Sequence, residues 1–252
     1  MSDLDLTPVL DGTVTAFTVG SATLIAERRR SGPDVFVLVH GLGMGRSVFA
    51  DLAQRLSGTV LAVDLPGFGA APEPALPLTM PQHADLIAAH LAAENLPPVT
   101  VIGHSMGSQV AAELAVRHPD RVRAVVLAAP TVDARARRLG RQALRFLQDT
   151  ASLDPRVVVR GVREYLRAGP HLVRKIRATV THDPDALYPR IAVPTLVLRG
   201  ERDPVCPPAW CRAVAEAIPH GELDELPGCG HETLIRDGGP AVRRISAFLA
   251  RV

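Results

Sequence analysis

Five short runs in this chain are almost wholly apolar: residues 35–39, 60–63, 99–102, 122–128 and 194–198. A strand with one wet face alternates apolar and polar residues. A run that is apolar at nearly every position is buried on both faces, as in a parallel sheet. Segments with helical spacing lie between the runs, at Phe49 to Leu56, His83 to Glu94 and Met106 to Arg117. A helix at Pro208 to Ala217, a strand at Glu222 to Leu226 and a helix at Pro240 to Arg251 follow the last run. Strand and helix in alternation imply a mostly parallel sheet with helices on both faces. Ahead of this pattern, Thr13 to Val19 and Ala22 to Arg28 read as a β-hairpin joined at Gly20-Ser21. Ala70 to Pro81 is too rich in proline for either element and is expected to be loop.

One segment breaks the rhythm. Residues 131–190 carry 13 Lys+Arg against 6 Asp+Glu, whereas the rest of the chain carries 15 against 20. This segment looks helical, with Leu139, Ala143 and Leu147 at four-residue steps and breaks at Pro155 and Gly169-Pro170. The 252 residues therefore divide into a core, 1–130 and 191–252, and an inserted unit, 131–190. The insert's positive charge suits an anionic substrate or partner. Composition bias is the competing explanation, because Lys175 is the sole lysine of the chain and arginine is favoured everywhere.

Several function classes are disfavoured. Aromatic residues are 4% of the chain, too few for base-stacking platforms, and no nucleic-acid motif is present. Histidines at metal-binding spacing are absent, and so is any apolar run of membrane-spanning length. Cys206, Cys211 and Cys229 are odd in number and form no CxxC pair, which fits reduced thiols. Met1 to Leu10 has neither basic residues nor an apolar stretch. The expectation is a cytoplasmic protein acting on a small molecule, with no metal, no cofactor, no nucleic-acid partner and no membrane span. Oligomeric state is not legible.

In a sheet of this kind, catalytic loops sit at the carboxyl ends of the strands. Gly103-His104-Ser105-Met106-Gly107 lies there, between an apolar β run and an apolar helix. This is the G-x-S-x-G pattern, in which a sharp strand-to-helix turn lifts the serine hydroxyl to the sheet edge. A serine hydroxyl is a weak nucleophile and needs a base. His231, in the glycine-rich loop Pro227 to Glu232, is the candidate, and its position after serine and aspartate fits the hydrolase chain order. The base needs an orienting carboxylate, for which Asp203 is preferred over Glu201 and Asp133. Backbone N–H groups of Met106 and Leu42 are the candidate oxyanion donors, Leu42 lying in His40-Gly41-Leu42-Gly43. That loop lacks G-x-G-x-x-G spacing, which argues against dinucleotide binding.

Together with Asp64-Leu65-Pro66-Gly67-Phe68-Gly69, Gly200-Glu201-Arg202-Asp203 and Gly230-His231, these motifs resemble the α/β-hydrolase fold family over about residues 13 to 251. The resemblance implies an eight-stranded, mostly parallel sheet and a helical cap after the sixth strand, corresponding to residues 131–190. It also implies a substrate pocket built largely by that cap. Some members use an aspartate nucleophile, and Ser105 in that slot argues against them. His40, Gly41 and His104 are the expected substrate contacts. The expected chemistry is acyl transfer through Ser105, His231 and Asp203 on a small ester, thioester or related carbonyl compound. The same residues would serve a C–C bond hydrolase or an acyltransferase. A non-catalytic small-molecule binding protein on this scaffold is the alternative of another class.

Overall fold

The computed structural model describes residues 6–131, 133 and 171–252. Eight strands form one sheet: β1 (Thr13–Val19), β2 (Ala22–Arg29), β3 (Val35–Val39), β4 (Thr59–Asp64), β5 (Val99–His104), β6 (Val122–Ala128), β7 (Thr195–Gly200) and β8 (Gly221–Leu226). Their spatial order is β1-β2-β4-β3-β5-β6-β7-β8. β1 and β2 pair antiparallel, β2 pairs antiparallel with β4, and all remaining pairs are parallel. The fold class expected from the sequence is the one observed.

The apolar runs divide their side chains between two cores. Val35, Val37 and Val39 of β3 face one, and Phe36 and Leu38 face the other. The first core is closed by α2 (Met80–Ala93), α3 (Met106–Arg117) and α5 (Pro208–Ala217). The second is closed by α1 (Ala50–Arg55) and α6 (Gly238–Leu249). β1 and β8 are the edge strands and are mostly exposed or half-buried, so neither has the wholly apolar run of the central strands.

Helix α2 begins three residues earlier than its periodicity predicts. Thr79 caps it in a reciprocal capping box with Gln82, and Pro81 sits in the first turn, where its missing N–H is harmless. Proline thus marks the helix start there, not continued loop. The 49–56 helix divides into a 3-10 turn, Arg46–Phe49, and α1.

Of the 131–190 insert, the structure describes residues 131, 133 and 171–190, including α4 (Leu172–Thr181) and 3-10 turns at Pro184–Ala186 and Tyr188–Arg190. The expected periodicity at Leu139, Ala143 and Leu147, and the breaks at 155 and 169–170, lie outside the described residues. α4 packs toward the core through Lys175 and Thr179, its only buried residues.

Candidate active site

β5 ends at His104, and α3 begins at Met106, leaving a single residue for the reversal of the chain. That residue is Ser105, with φ +54° and ψ −117°. A non-glycine backbone in this region costs about 1–3 kcal/mol and persists only where its surroundings over-determine it. Here they do. The Ser105 N–H donates to Ala128 O at the end of β6 (2.9 Å), and Ser105 O accepts from Ser108 Oγ (2.6 Å). The two flanking glycines allow the close approach. A Cβ on Gly103 would lie 2.2 Å from Gly107 O, and one on Gly107 would lie 2.2 Å from Val39 O. Both obstacles are backbone and cannot swing aside.

Ser105 Oγ lies 3.1 Å from His231 Nε2, and His231 Nδ1 lies 2.8 Å from Asp203 Oδ2. Asp203 Oδ1 accepts from the N–H groups of Val205 (2.7 Å) and Cys206 (3.0 Å). Burial pushes the Asp203 carboxyl up. The positive charge and hydrogen bond of His231, with the two backbone donors, outweigh that and hold it below the usual carboxylate range. His231 and Asp203 are both buried, at 4% and 3% exposure, so this pair is shielded from bulk water.

Asp203, and neither competing carboxylate, is hydrogen-bonded to His231 Nδ1 at 2.8 Å. Glu201 accepts from Gly228 N (2.7 Å) and thereby braces the loop that carries His231. Asp133 is buried, but His231 Nδ1 is already engaged by Asp203. Cys206 Sγ lies 4.0 Å from His231 Nδ1 and donates to Pro130 O. Burial pushes this thiol well above its ordinary pKa, so it stays protonated beside Asp203 and His231. Asp203, Cys206 and His231 bring possible metal-ligating atoms within 4.8 Å of one another, but His231 Nδ1 and the carboxylate are committed to each other there.

The expected oxyanion donors flank the serine. Met106 opens α3, where the first N–H groups have no partner within the helix. Leu42 is half-buried in the turn after β3, and the facing Gly41 is so close that an added Cβ would lie 3.2 Å from Ser105 Cβ.

Two of the expected substrate contacts are placed differently from that expectation. His40 and His104 are fully buried and bonded to backbone. His40 Nε2 accepts from Leu65 N (3.1 Å) and its Nδ1 donates to Gly41 O (2.8 Å), which ties the β3 loop to the β4 loop. His104 Nε2 donates to His231 O (2.8 Å), which ties the elbow to the base loop. Burial, then the nearby charge of His231, lowers the His104 pKa to about 4, so this imidazole is neutral. Both histidines brace the loops of the candidate residues from the buried side.

The motif search also missed residues that fix these loops. Arg46 is a buried guanidinium bonded to Glu27 Oε2 (3.0 Å) and to the Asp64 carboxylate, and it donates to Thr7 O (2.7 Å). Asp64 in turn accepts from Ala70 N (3.0 Å). A charged triplet spread over residues 27, 46 and 64 has no local spacing that a sequence reading can detect. His83 and Lys175, which line a pocket with Phe68 and Met106, were unmarked for the same reason.

Comparisons with known proteins agree with this architecture. The alpha/beta hydrolase family pattern matches residues 36–242. The pimeloyl-[acyl-carrier protein] methyl ester esterase of Chromobacterium violaceum is 31% identical over 255 aligned positions, covering 90% of this chain and 98% of that protein. The protein of the same description from Nitrosomonas europaea is 29% identical, covering 83% and 93%. A thermophilic esterase from Thermogutta terrifontis superimposes with a TM-score of 0.79 at 24% identity, covering 95% of this chain and 98% of that one. E-2-(acetamidomethylene)succinate hydrolase does so with a TM-score of 0.78 at 22% identity, covering 95% and 100%. Sheet, elbow and relatives lead to one conclusion: the chain belongs to the α/β-hydrolase family and is a hydrolase.

Proposed function

We propose that this protein is a serine esterase that works through an acyl-enzyme on Ser105. The observation that carries this reading is the unbroken line Ser105 Oγ, His231 Nε2, His231 Nδ1, Asp203 Oδ2, with both links at hydrogen-bond length. His231 Nε2 takes the Ser105 proton as Oγ bonds to the ester carbonyl carbon. The carbonyl oxygen becomes an oxyanion facing the N–H groups of Leu42 and Met106. The intermediate collapses as the C–O bond to the alcohol breaks, and His231 gives its proton to the departing oxygen. A water then loses a proton to His231, attacks the acyl carbon and releases the acid, and Ser105 Oγ regains its proton.

Asp203 holds the Nδ1–H tautomer and stabilises the imidazolium. His40 and His104 are positioning residues in this scheme, and Gly41 supplies the close approach of the oxyanion loop. A cap role for residues 131–190 is part of this proposal, and it is supported by α4, whose Lys175 donates to Gly67 O in the loop after β4. The substrate is a methyl or other small-alcohol ester of an acyl chain, as the names of the relatives suggest. The net positive charge of 131–190 supports an acyl chain presented on an acidic carrier.

Ser105→Ala tests the reading. Turnover of methyl and p-nitrophenyl esters is expected to fall by about 10³-fold or more. A fluorophosphonate is expected to add one adduct to the parent protein by intact mass and none to the variant. Unchanged turnover in Ser105→Ala refutes the scheme. A protein that neither turns over esters nor takes the label is a binding protein on this scaffold.

A further inference from the structure

β7 is buried at every position, yet it carries a charge next to its end. Thr195, Leu196, Val197 and Leu198 are followed by Arg199, which is 1% exposed and is the largest fully buried side chain among the described residues. Gly200, the last residue of the strand, leads into the loop that carries Asp203.

Taking a guanidinium out of water is costly unless its N–H groups are bonded and its charge is balanced. Each nitrogen of Arg199 has a partner. Nε donates to Cys206 O (3.1 Å), Nη2 donates to Glu201 O (3.1 Å), and Nη1 is bonded to the Glu225 carboxylate. Glu225 stands opposite Arg199 in the β7–β8 register, and its side chain is 47% exposed. The counter-charge therefore comes from the wet edge of the sheet, while Nε and Nη2 are spent on main chain.

The two carbonyls bracket Asp203, Glu201 being two residues before it and Cys206 three residues after. Between them the chain folds around the carboxylate. Asp203 N donates to Gly200 O (3.1 Å), and Oδ1 accepts from Val205 N (2.7 Å) and Cys206 N (3.0 Å). Oδ2 is left for His231 Nδ1, at 2.8 Å. These bonds shape the turn, but its place against the base loop needs anchors outside it. On the near side, Glu201 N donates to Leu226 O (3.0 Å) and Arg202 N to Cys229 O (2.8 Å). On the far side, Cys206 Sγ donates to Pro130 O (3.2 Å). Arg199 joins the two sides, because one rigid, planar group reaches both carbonyls. A lysine ammonium on a flexible stem has no such fork.

We propose that Arg199 is a positioning residue for the Asp203–His231 pair. Its guanidinium spans the acid loop from Glu201 O to Cys206 O and so holds Asp203 Oδ2 within reach of His231 Nδ1. It acts through the loop. Without it the turn keeps its local bonds and loses its registration with the base.

The kinetic consequence rests on the esterase reading, so the test has one arm with turnover and one without. In the first, Arg199→Met and Arg199→Lys are compared with the parent protein on p-nitrophenyl acetate, with the fold checked by circular dichroism. Arg199→Met is expected to lower kcat by about 10-fold to 100-fold and to leave KM within about twofold. Arg199→Lys is expected to recover part of that loss, since an ammonium reaches one carbonyl and not both. In the second arm, the His231 Nδ1–H proton is followed by NMR and assigned by its absence from His231→Gln. The parent is expected to show it far downfield and protected from exchange. In Arg199→Met it is expected to move upfield and to lose that protection, with Arg199→Lys in between. A loss confined to stability, or either readout unmoved in folded Arg199→Met, overturns the proposal. If Arg199→Met does not fold, Arg199→Lys decides by the same two readouts, and failure of both to fold assigns the guanidinium to the fold alone and overturns the positioning role. A parent protein that hydrolyses no ester refutes the esterase reading, and the resonance then decides by itself whether Arg199 sets the pair. Turnover in the parent with an unmoved resonance in Arg199→Met refutes the positioning role and leaves the esterase reading standing.

Discussion

The turn that carries Ser105 and the loop that carries His231 meet at 3.1 Å, and packing and hydrogen bonds fix them in different proportion. The elbow is fixed by steric exclusion. Its backbone is held at φ +54°, with Gly103 and Gly107 packed against main-chain atoms that leave no room for a Cβ. The base loop has one such close approach, Gly200 against Gly230 O and Cys229 O, and adds hydrogen bonds from four directions. Cys229 O accepts from Arg202 N, Gly228 N donates to Glu201, His231 O accepts from His104, and Asp203 holds the imidazole. Repulsion between closed-shell atoms rises steeply, whereas hydrogen bonds lengthen at modest cost. Substitution of the elbow glycines should therefore abolish the fold abruptly, while substitution of the polar side chains around the base loop should degrade catalysis in steps.

The harshest break of this contrast is Gly107→Val, whose Cβ collides with Val39 O and His40 O. It is expected to cost more than about 4 kcal/mol and to leave unfolded or insoluble protein by circular dichroism. A soluble, active Gly107→Val would show that the elbow yields. Asp203→Asn should be quite different. The amide oxygen can still accept from Val205 and Cys206, so the fold is kept while the His231 tautomer is lost. Its kcat is expected to fall by about 10³–10⁴-fold, with the fold retained and the melting temperature only modestly lowered. His104→Phe keeps the ring volume and removes the donor to His231 O. A loss of about 10-fold to 100-fold in kcat is expected, with KM less affected.

The neutral histidines sharpen the comparison in a further way. In the fold, His104 titrates at about 4 and His83 at about 3, against an ordinary value of 6.5. The unfolded chain therefore binds more protons between those values and 6.5, and stability must fall as pH drops through that window. Each histidine contributes about 2 kcal/mol of loss by about pH 5, read as a falling urea midpoint. His104→Phe should flatten this dependence. Asp203, whose pKa is lowered, contributes stability above the ordinary carboxylate range and loses it only at more acidic pH. The smallest effect is at Ser105 itself. Ser105→Gly relieves the positive-φ strain and is expected to raise stability by about 1 kcal/mol while abolishing activity. A destabilised Ser105→Gly would mean that the serine's own bonds, not its surroundings, hold the turn.

The sequence by itself determined the sheet and singled out Ser105, Asp203 and His231, the candidates that the fold brings into one hydrogen-bonded line. The strands β3 to β7 are legible because burial on both faces demands apolar residues at nearly every position. Ser105, Asp203 and His231 are legible because each lies on a loop after a strand, in the chain order that the elbow motif implies. Helix α2 was misjudged at its start because proline is both a loop residue and a first-turn residue, and only the Thr79–Gln82 capping box tells them apart.

The tertiary structure alone decided which polar residues of these loops are buried and bonded to backbone. His40 and His104 belong to the catalytic loops by sequence, but crossing hydrogen bonds over 25 and 127 residues turn them inward. Lys175 reads as one more charge in a basic insert until a bond spanning 102 residues brings it to Glu73 at a pocket wall. The physical reason is range. Apolar periodicity and turn chemistry act between neighbours in the chain, and so they are written locally. The partner of a buried polar group is chosen by packing, and no local spacing records it.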